Sequence, residues 1–329
     1  MATKKGISAA RLKTIYRRQS NPPWDDSYLP SILATPQEAP SRSRAYILTP
    51  QKFNCRETHL LSTPEHNAAL LGLYHPNVIG LQEQRMLSPE PAMHPLWTMV
   101  GVNRMSLEPL KGVIDVAERL GFLDILPRVK VPDPEDSGNQ MIMVFPWCGD
   151  LLWAIKPDTG LVCCVNWTVK DEQSDFKRPS LRRDGKPQHQ EETRAAIARH
   201  EVEKSYYEDA RIRTIQVANE SIDKHVAANL HQLFLHHRRE LGLTASQRDE
   251  ILHRFQVAFE VGIPPVDVIF SLSERGRFSV EQCRSYLYQM IWSRQLRVDL
   301  FKPILINRPL HCESRDVLEV YADWFRGAV

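Results

Sequence analysis

Leu151-Leu152-Trp153-Ala154-Ile155, then Lys156-Pro157-Asp158-Thr159-Gly160, then Leu161-Val162-Cys163-Cys164-Val165-Asn166-Trp167-Thr168-Val169-Lys170 is the stretch whose reading decides the fold class. Two short apolar runs flank a segment holding a proline and a glycine, the residues that punctuate tight turns. The stretch reads as a β-hairpin whose second strand continues from Asn166 to Lys170. Just upstream, Met141-Ile142-Met143-Val144-Phe145 reads as another compact strand. Downstream, a long amphipathic helix is expected over 191–208, and Ile212, Ile215 and Val217 suggest one more strand. Upstream again, Ser62-Thr63-Pro64-Glu65 has the S-x-x-E order of a capping box with proline in the first turn. It opens a helix over 63–74, on which Ala68, Ala69, Leu71 and Leu73 are apolar. Pro76 to Gln84 then reads as a turn and a short strand. Helices interleaved with a mixed sheet make this an α/β chain.

Further out the signals weaken. Residues 45–55 read as extended chain, and the Pro- and Met-rich 90–140 segment holds one expected helix, 106–120. Residues 171–192 are polar and basic (Lys177, Arg178, Arg182, Arg183, Lys186) and read as a loop. Another helix is expected over 222–240. In the last third, Thr244-x-x-Gln247 opens a helix, Pro264-Pro265 starts a second and Gly276 closes it. Ser279-x-x-Gln282 opens a third, with Cys283, Tyr286, Leu287, Met290 and Ile291 at helical spacing. Leu296-Arg297-Val298-Asp299-Leu300 then reads as a strand. Two helices across a tight turn and then a β segment is the layout of a winged helix-turn-helix, and a small helical bundle gives the same pattern. At the other end, Lys4, Lys5, Arg11, Lys13, Arg17 and Arg18 are unbroken by any acid, and a Pro-rich stretch from Pro22 to Pro40 follows. This reads as a mobile or loosely wrapped arm, which either tracks phosphates or is a solvated tail.

The 329 residues suggest two domains. With 42% hydrophobic and 25% charged residues, composition excludes collagen, coiled-coil rods and wholesale disorder. No stretch approaches the ~18 uninterrupted apolar residues of a membrane span. The basic N-terminus has no apolar run behind it, so a secretory signal is not expected and the chain reads as cytoplasmic. Cys55, Cys148, Cys163, Cys164, Cys283 and Cys312 show no C-x-x-C pair, so reduced thiols are expected rather than a zinc site or a disulfide scaffold. No H-E-x-x-H spacing supports metalloprotease chemistry. A net charge of +2 argues against a strongly basic nucleic-acid binder.

Three residues are candidates for chemistry. Glu65 starts a helix, Asp150 precedes a strand, and Lys170 ends the next one. Phosphodiester hydrolysis near neutral pH needs a hard cation held by carboxylates and a positive group to offset charge on the phosphate. The hairpin brings Asp150 and Lys170 close. Each also has an ordinary reading: Glu65 as the third residue of a capping box, Asp150 as a turn acid, Lys170 as a solvated strand end.

Ser62-Thr63-Pro64-Glu65, with Leu70-Leu71, His75-Pro76-Asn77-Val78 and Glu83-Gln84, resembles the opening of TnsA-type endonucleases, the restriction-enzyme-like subunit of heteromeric Tn-seven-class transposases. Arg199-His200-Glu201-Val202-Glu203-Lys204-Ser205-Tyr206-Tyr207 with Ile212-Arg213-Thr214, Asn229-Leu230, and Leu287-Tyr288 with Leu296 to Leu300 look like later segments of that family. The likeness runs over residues 55–310. It implies a restriction-endonuclease-like PD-(D/E)xK core with an α-helical winged-helix C-terminal domain. It divides the chain into a basic, Pro-rich arm (1–44), a catalytic domain (45–218) and a winged-helix-like domain (219–329). It implies a Mg²⁺-dependent endonuclease, with Mn²⁺ as a substitute, that nicks the 5′ ends of a mobile element. Glu65 and Asp150 would be metal ligands and Lys170 the third catalytic residue, with Thr168 and Asn166 flanking and Lys177, Arg178, Arg182 and Arg183 on DNA. Implied partners are double-stranded transposon-end DNA, a DDE-type transposase subunit (TnsB-like) and an AAA+ ATPase regulator (TnsC-like), in a prokaryotic, nucleoid-associated setting. One position departs: the family has Gln or Glu two residues before the lysine, and here it is Thr168, a shorter and poorer ligand. A catalytically weak or inactive scaffold subunit of the same complex, and a free-standing restriction-type nuclease, are the alternatives.

Overall fold

The computed structural model describes residues 6–41, 44–133, 138–158, 160–177, 190–274 and 276–328, the side chains of 190–193 excepted. It is a mixed α/β protein that divides into two compact units. Met1–Ala69, Pro76–Ser221 and Trp324–Val329 make the first; Leu70–His75 and Ile222–Asp323 make the second.

The first unit begins with helix α1 (Ala9–Gln19), then strands β1 (Tyr46–Leu48) and β2 (Thr58–Leu60), and helix α2 (Thr63–Tyr74), whose last turn belongs to the second unit. Strand β3 (Val78–Glu83), helix α3 (Val113–Arg119), the hairpin β4 (Arg128–Pro132) and β5 (Gln140–Val144), strands β6 (Leu151–Ile155) and β7 (Cys163–Lys170), helix α4 (Gln190–Glu208) and strand β8 (Arg213–Ala218) follow. The main sheet has the order β3-β6-β7-β8. Strands β3, β6 and β7 are antiparallel, whereas β8 lies parallel to β7 with Val165 opposite Arg213, the long α4 making the crossover. Strand β6 is buried along its whole length, which explains its unbroken apolar run.

From Ser8 onward the basic N-terminal stretch is not a loose arm; Lys4 and Lys5 lie outside the described residues. Ser8 caps α1 by accepting from the Arg11 amide at 3.3 Å, and Leu12 and Ile15 are buried against Met86, Val129 and Phe145. Behind it, Pro22 and Pro23 give their carbonyls to the Gln82 amide at 3.2 and 2.8 Å, so the proline stretch covers edge strand β3. At the other end, Trp324 and Phe325 return to the first unit: the Trp167 indole donates to the Trp324 carbonyl at 2.8 Å.

Three further expectations change. The 106–120 helix is only α3, because Gly112, at φ 97°, sits just before it and Leu110 bridges Ala92. The 141–145 strand pairs outside the main sheet, with β4, whose Arg-Val-Lys-Val-Pro sequence gives little apolar signal. The 296–300 strand is reduced to a single bridge between Val298 and Cys312.

The second unit holds helices α5 (Lys224–Phe234), α6 (Ala245–Val261), α7 (Pro265–Glu274), α8 (Val280–Trp292) and α9 (Val317–Val320). Both expected capping boxes are present, Thr244 with Gln247 and Ser279 with Gln282. Helix α8 packs on α5, α6 and α7 through Cys283, Leu287, Met290 and Ile291. The six cysteines are free thiols, with Cys164 and Cys283 buried. No helix among the described residues is long and apolar enough to cross a membrane.

Candidate functional site

The hairpin sets the geometry. Leu151 pairs with Trp167, so Asp150, one residue earlier, falls beside Thr168 and Val169, and the Val169 amide donates to Asp150 Oδ2 at 2.7 Å. That is the local reason for an acid there: its carboxylate satisfies a strand amide that the partner strand no longer reaches. Asp150 Oδ1 accepts no hydrogen bond among the described residues. Strand alternation puts Asn166, Thr168 and Lys170 on one face. Lys170, half-buried, makes no ion pair with a described residue.

Glu65 comes in on α2. Its backbone amide donates to Ser62 Oγ at 3.3 Å and the Ser62 hydroxyl donates to Glu65 Oε1 at 2.8 Å, so the capping relation forms. The carboxylate goes further than capping requires. Oε2 accepts from the Leu61 amide at 2.8 Å and from the Gln84 side chain at 2.9 Å. Gln84 follows β3 in the left-handed region at φ 48°, and its own amide donates to the Asp150 carbonyl at 3.0 Å. One residue therefore ties the helix-borne glutamate to the start of β6. The neighbouring Glu83 is engaged elsewhere. Fully buried, it takes a bidentate pair from Arg56 at 2.8 and 2.9 Å and the His59 amide at 3.0 Å.

The electrostatics join these groups. Burial pushes the Glu65 carboxyl up to about 7, the negative charge of Asp150 adding to the rise and Lys170 opposing it. Burial also raises Asp150, with Glu203 adding to the rise and Lys170 and the Val169 amide opposing it. A buried Glu65 whose charged form Asp150 disfavours, beside an Asp150 with one free oxygen, suits a hard divalent cation. Mg²⁺ commonly takes only one or two protein carboxylates and completes its shell with water and substrate phosphate. Among the described residues no group of three or more His, Cys, Asp or Glu is placed to hold a metal, so Glu65 and Asp150 would hold it alone.

Helix α4 supplies further residues that the sequence did not single out for this site. Glu203, fully buried, accepts from the Asn166 amide at 3.1 Å and pairs with Arg199 one turn earlier. Arg199 lies over the Trp147 ring, 5.1 Å to its centroid, and donates to the Cys148 carbonyl at 2.6 Å. A Cβ at Gly149 would sit 3.0 Å from Glu203 Oε1, which explains the glycine before Asp150. Burial, with the charges of Lys170 and Arg199, pushes His200 down to about 4, so it is neutral at pH 7. Its Nδ1 and Asn166 Oδ1 are buried without a hydrogen-bond partner. The signal for this group is its i, i+4 spacing, Arg199 to Glu203, in the segment that carries the family likeness.

Asn166 is thus committed to Glu203 through its amide, and Thr168 is buried beside Asp150. Lys177 is exposed; Arg178, Arg182 and Arg183 lie outside the described residues. No protein-family model matches the chain, and no curated protein matches its sequence.

Proposed function

We propose that this chain is a Mg²⁺-dependent DNA endonuclease subunit with a restriction-endonuclease-like core and a winged-helix-like C-terminal region. It would nick the 5′ ends of a mobile element alongside a DDE-type transposase and an AAA+ ATPase regulator. The observation that carries this reading is geometric: Gln84 bonds both the Glu65 carboxylate and the Asp150 carbonyl, and the β6–β7 hairpin sets Asp150 against the strand that ends in Lys170. The family likeness supplies the transposon setting and the partners.

A divalent cation held by Glu65 and Asp150 would supply positive charge at the scissile phosphate and make water more acidic. The chain's own groups do the rest. A water oxygen attacks phosphorus, the backbone P–O bond breaks, and a proton passes to the leaving oxygen. The Lys170 ammonium, without an ion pair among the described residues, would offset the negative charge that grows on the phosphate. Gln84 holds the Glu65 carboxylate in place, and the Val169 amide fixes the rotation of Asp150.

The test supplies end-containing duplex DNA, Mg²⁺ and the partner transposase. Glu65→Gln, Asp150→Asn and Lys170→Ala should each lower 5′-end nicking by at least ~100-fold while leaving the protein folded. Unchanged nicking in the Asp150→Asn protein would sink the assignment.

One observation favours a second reading. Thr168 stands where the family carries a longer ligand, and among the described residues no group of three or more His, Cys, Asp or Glu is placed to hold a metal. A scaffold subunit without nuclease activity would bind DNA or partners through the same fold. Mn²⁺ calorimetry separates the two, since only the enzyme requires Asp150-dependent binding.

A further inference from the structure

A cavity in the first unit has none of Glu65, Asp150 and Lys170 in its lining. Its volume is about 510 Å³, and it is lined by Tyr16, Gln19 and Asn21 from the N-terminal segment, by His94, Trp97 and Thr98, and by Arg85. Arg85 is 8% exposed, and its Nε has no hydrogen-bond partner. Its one described side-chain hydrogen bond is to the neutral Gln82 amide oxygen. No carboxylate pairs with it among the described residues. The acid next door in the chain, Glu83, is already taken up by Arg56. Glu90 is exposed, and its charge acts on the Tyr16 hydroxyl.

A buried guanidinium without a counter-charge is unfavourable unless something compensates it. Nearby groups do not. His94 accepts from the Leu96 amide at 3.0 Å through Nδ1, and burial together with Arg85 pushes it down to about 4. Arg104 lies over the ring of the lining residue Trp97, 5.7 Å to its centroid. Tyr16, Trp97, Pro91, Pro95 and Pro109 give the lining flat, largely apolar faces, with the Ser20 and Ser88 hydroxyls among them. The volume suits one small organic ligand.

We propose that this cavity binds a nucleoside phosphate, its phosphate on the Arg85 guanidinium and its base between the aromatic and proline walls. Arginine presents a planar fork of donors matched to phosphate oxygens. The same chemistry has two sources, a free mononucleotide or the terminal nucleotide of a DNA strand.

The test is calorimetry on the full chain in EDTA, which keeps divalent cations out of the Glu65 and Asp150 site. Titrants are deoxyadenosine monophosphate, deoxyadenosine, inorganic phosphate, and a short 5′-phosphorylated single strand. The monophosphate should bind roughly tenfold or more tightly than either of its parts, and Arg85→Gln should remove that advantage. If Arg85→Gln fails to fold, Asn21→Glu replaces it. That residue is exposed on the rim, and the added carboxylate should weaken the monophosphate by roughly threefold or more while leaving deoxyadenosine unchanged. Competition by the strand assigns the site to a DNA terminus; saturation by mononucleotide without such competition assigns it to a free nucleotide. Equal binding of nucleoside and monophosphate, or monophosphate binding unaffected by a folded Arg85→Gln or by Asn21→Glu, overturns the proposal. Because no metal or cleavage enters the readout, it stands or falls apart from the nuclease reading.

Discussion

At the scale of single residues, the cap that Glu65 makes and the ligand role proposed for it pull against each other. As a cap residue it needs only to accept hydrogen bonds; as a ligand it must be ionised. Its carboxyl in the folded protein is pushed up to about 7 from an ordinary value of 4.5, chiefly by burial. A raised carboxyl stabilises the folded state while protonated. That contribution is full below about pH 4.5 and is lost as pH rises through about 7. The difference corresponds to on the order of 3 kcal/mol. Glu65→Gln should therefore flatten the fall in stability of the metal-free protein between these pH values. A glutamine oxygen can still accept from Leu61 and Gln84, and its NH₂ can donate to Ser62. At pH 8, Mg²⁺ should raise the melting temperature of the wild type and not of the variant. Parallel stability curves for the two proteins across pH 4–8 would show that Glu65 is not buried under charge stress.

At the scale of elements, strand β3 is an edge strand protected by chain from the other side of its own unit. The Trp24 indole donates to the Pro95 carbonyl at 2.8 Å, and its ring lies where a Cβ on Gly80 would be, 2.7 Å from Trp24 Cε3. Gly80→Ala should cost roughly 1–3 kcal/mol in urea unfolding, because ring and strand cannot both keep their places. Combined with Trp24→Ala, which empties that space, the two costs should add to less than their sum. Additive costs would mean that the ring does not pack on the strand. The same region shows what was legible in the sequence. The β6–β7 hairpin and the boxes at Thr244 and Ser279 are local signals, turn residues and cap spacing, and they form where expected. Helix α1 is masked by its charges, since Leu12 and Ile15 bury only because Met86, Val129 and Phe145 are presented to them from far along the chain. Asp150 and Lys170 are legible because one hairpin joins them. The roles of Gln84, Glu203 and His200 are not, because their parts arise from β3 and α4 meeting that hairpin.

For the molecule as a whole, net charge bears on how it would meet DNA under the proposed function. The total of +2 includes an N-terminal cluster that tertiary structure partly consumes: Arg18 pairs with Glu38 at 2.8 Å, while Lys13 and Arg17 remain exposed on α1. Lys177 is exposed on another segment, next to the basic Arg178, Arg182 and Arg183 in sequence. Non-specific affinity for duplex DNA grows with each phosphate neutralised, and the slope of log K against log salt is close to −0.9 per contact. With so few unpaired, clustered cations among the described residues, the chain should bind duplex weakly by itself, with Kd on the order of 10⁻⁶ to 10⁻⁴ M at physiological salt. A salt slope no steeper than about −5 is expected in fluorescence anisotropy. Arg182→Glu with Arg183→Glu should make the slope shallower by about 2 and weaken every sequence alike, since phosphate contacts position without specifying. Tight, sequence-selective binding by the isolated chain, with a slope near −10, would mean that end recognition is its own. A shallow slope, with selectivity appearing only when the transposase is added, would place end recognition on the partner and leave Glu65, Asp150 and Lys170 as chemistry that is delivered to DNA rather than steered there by this chain's charge.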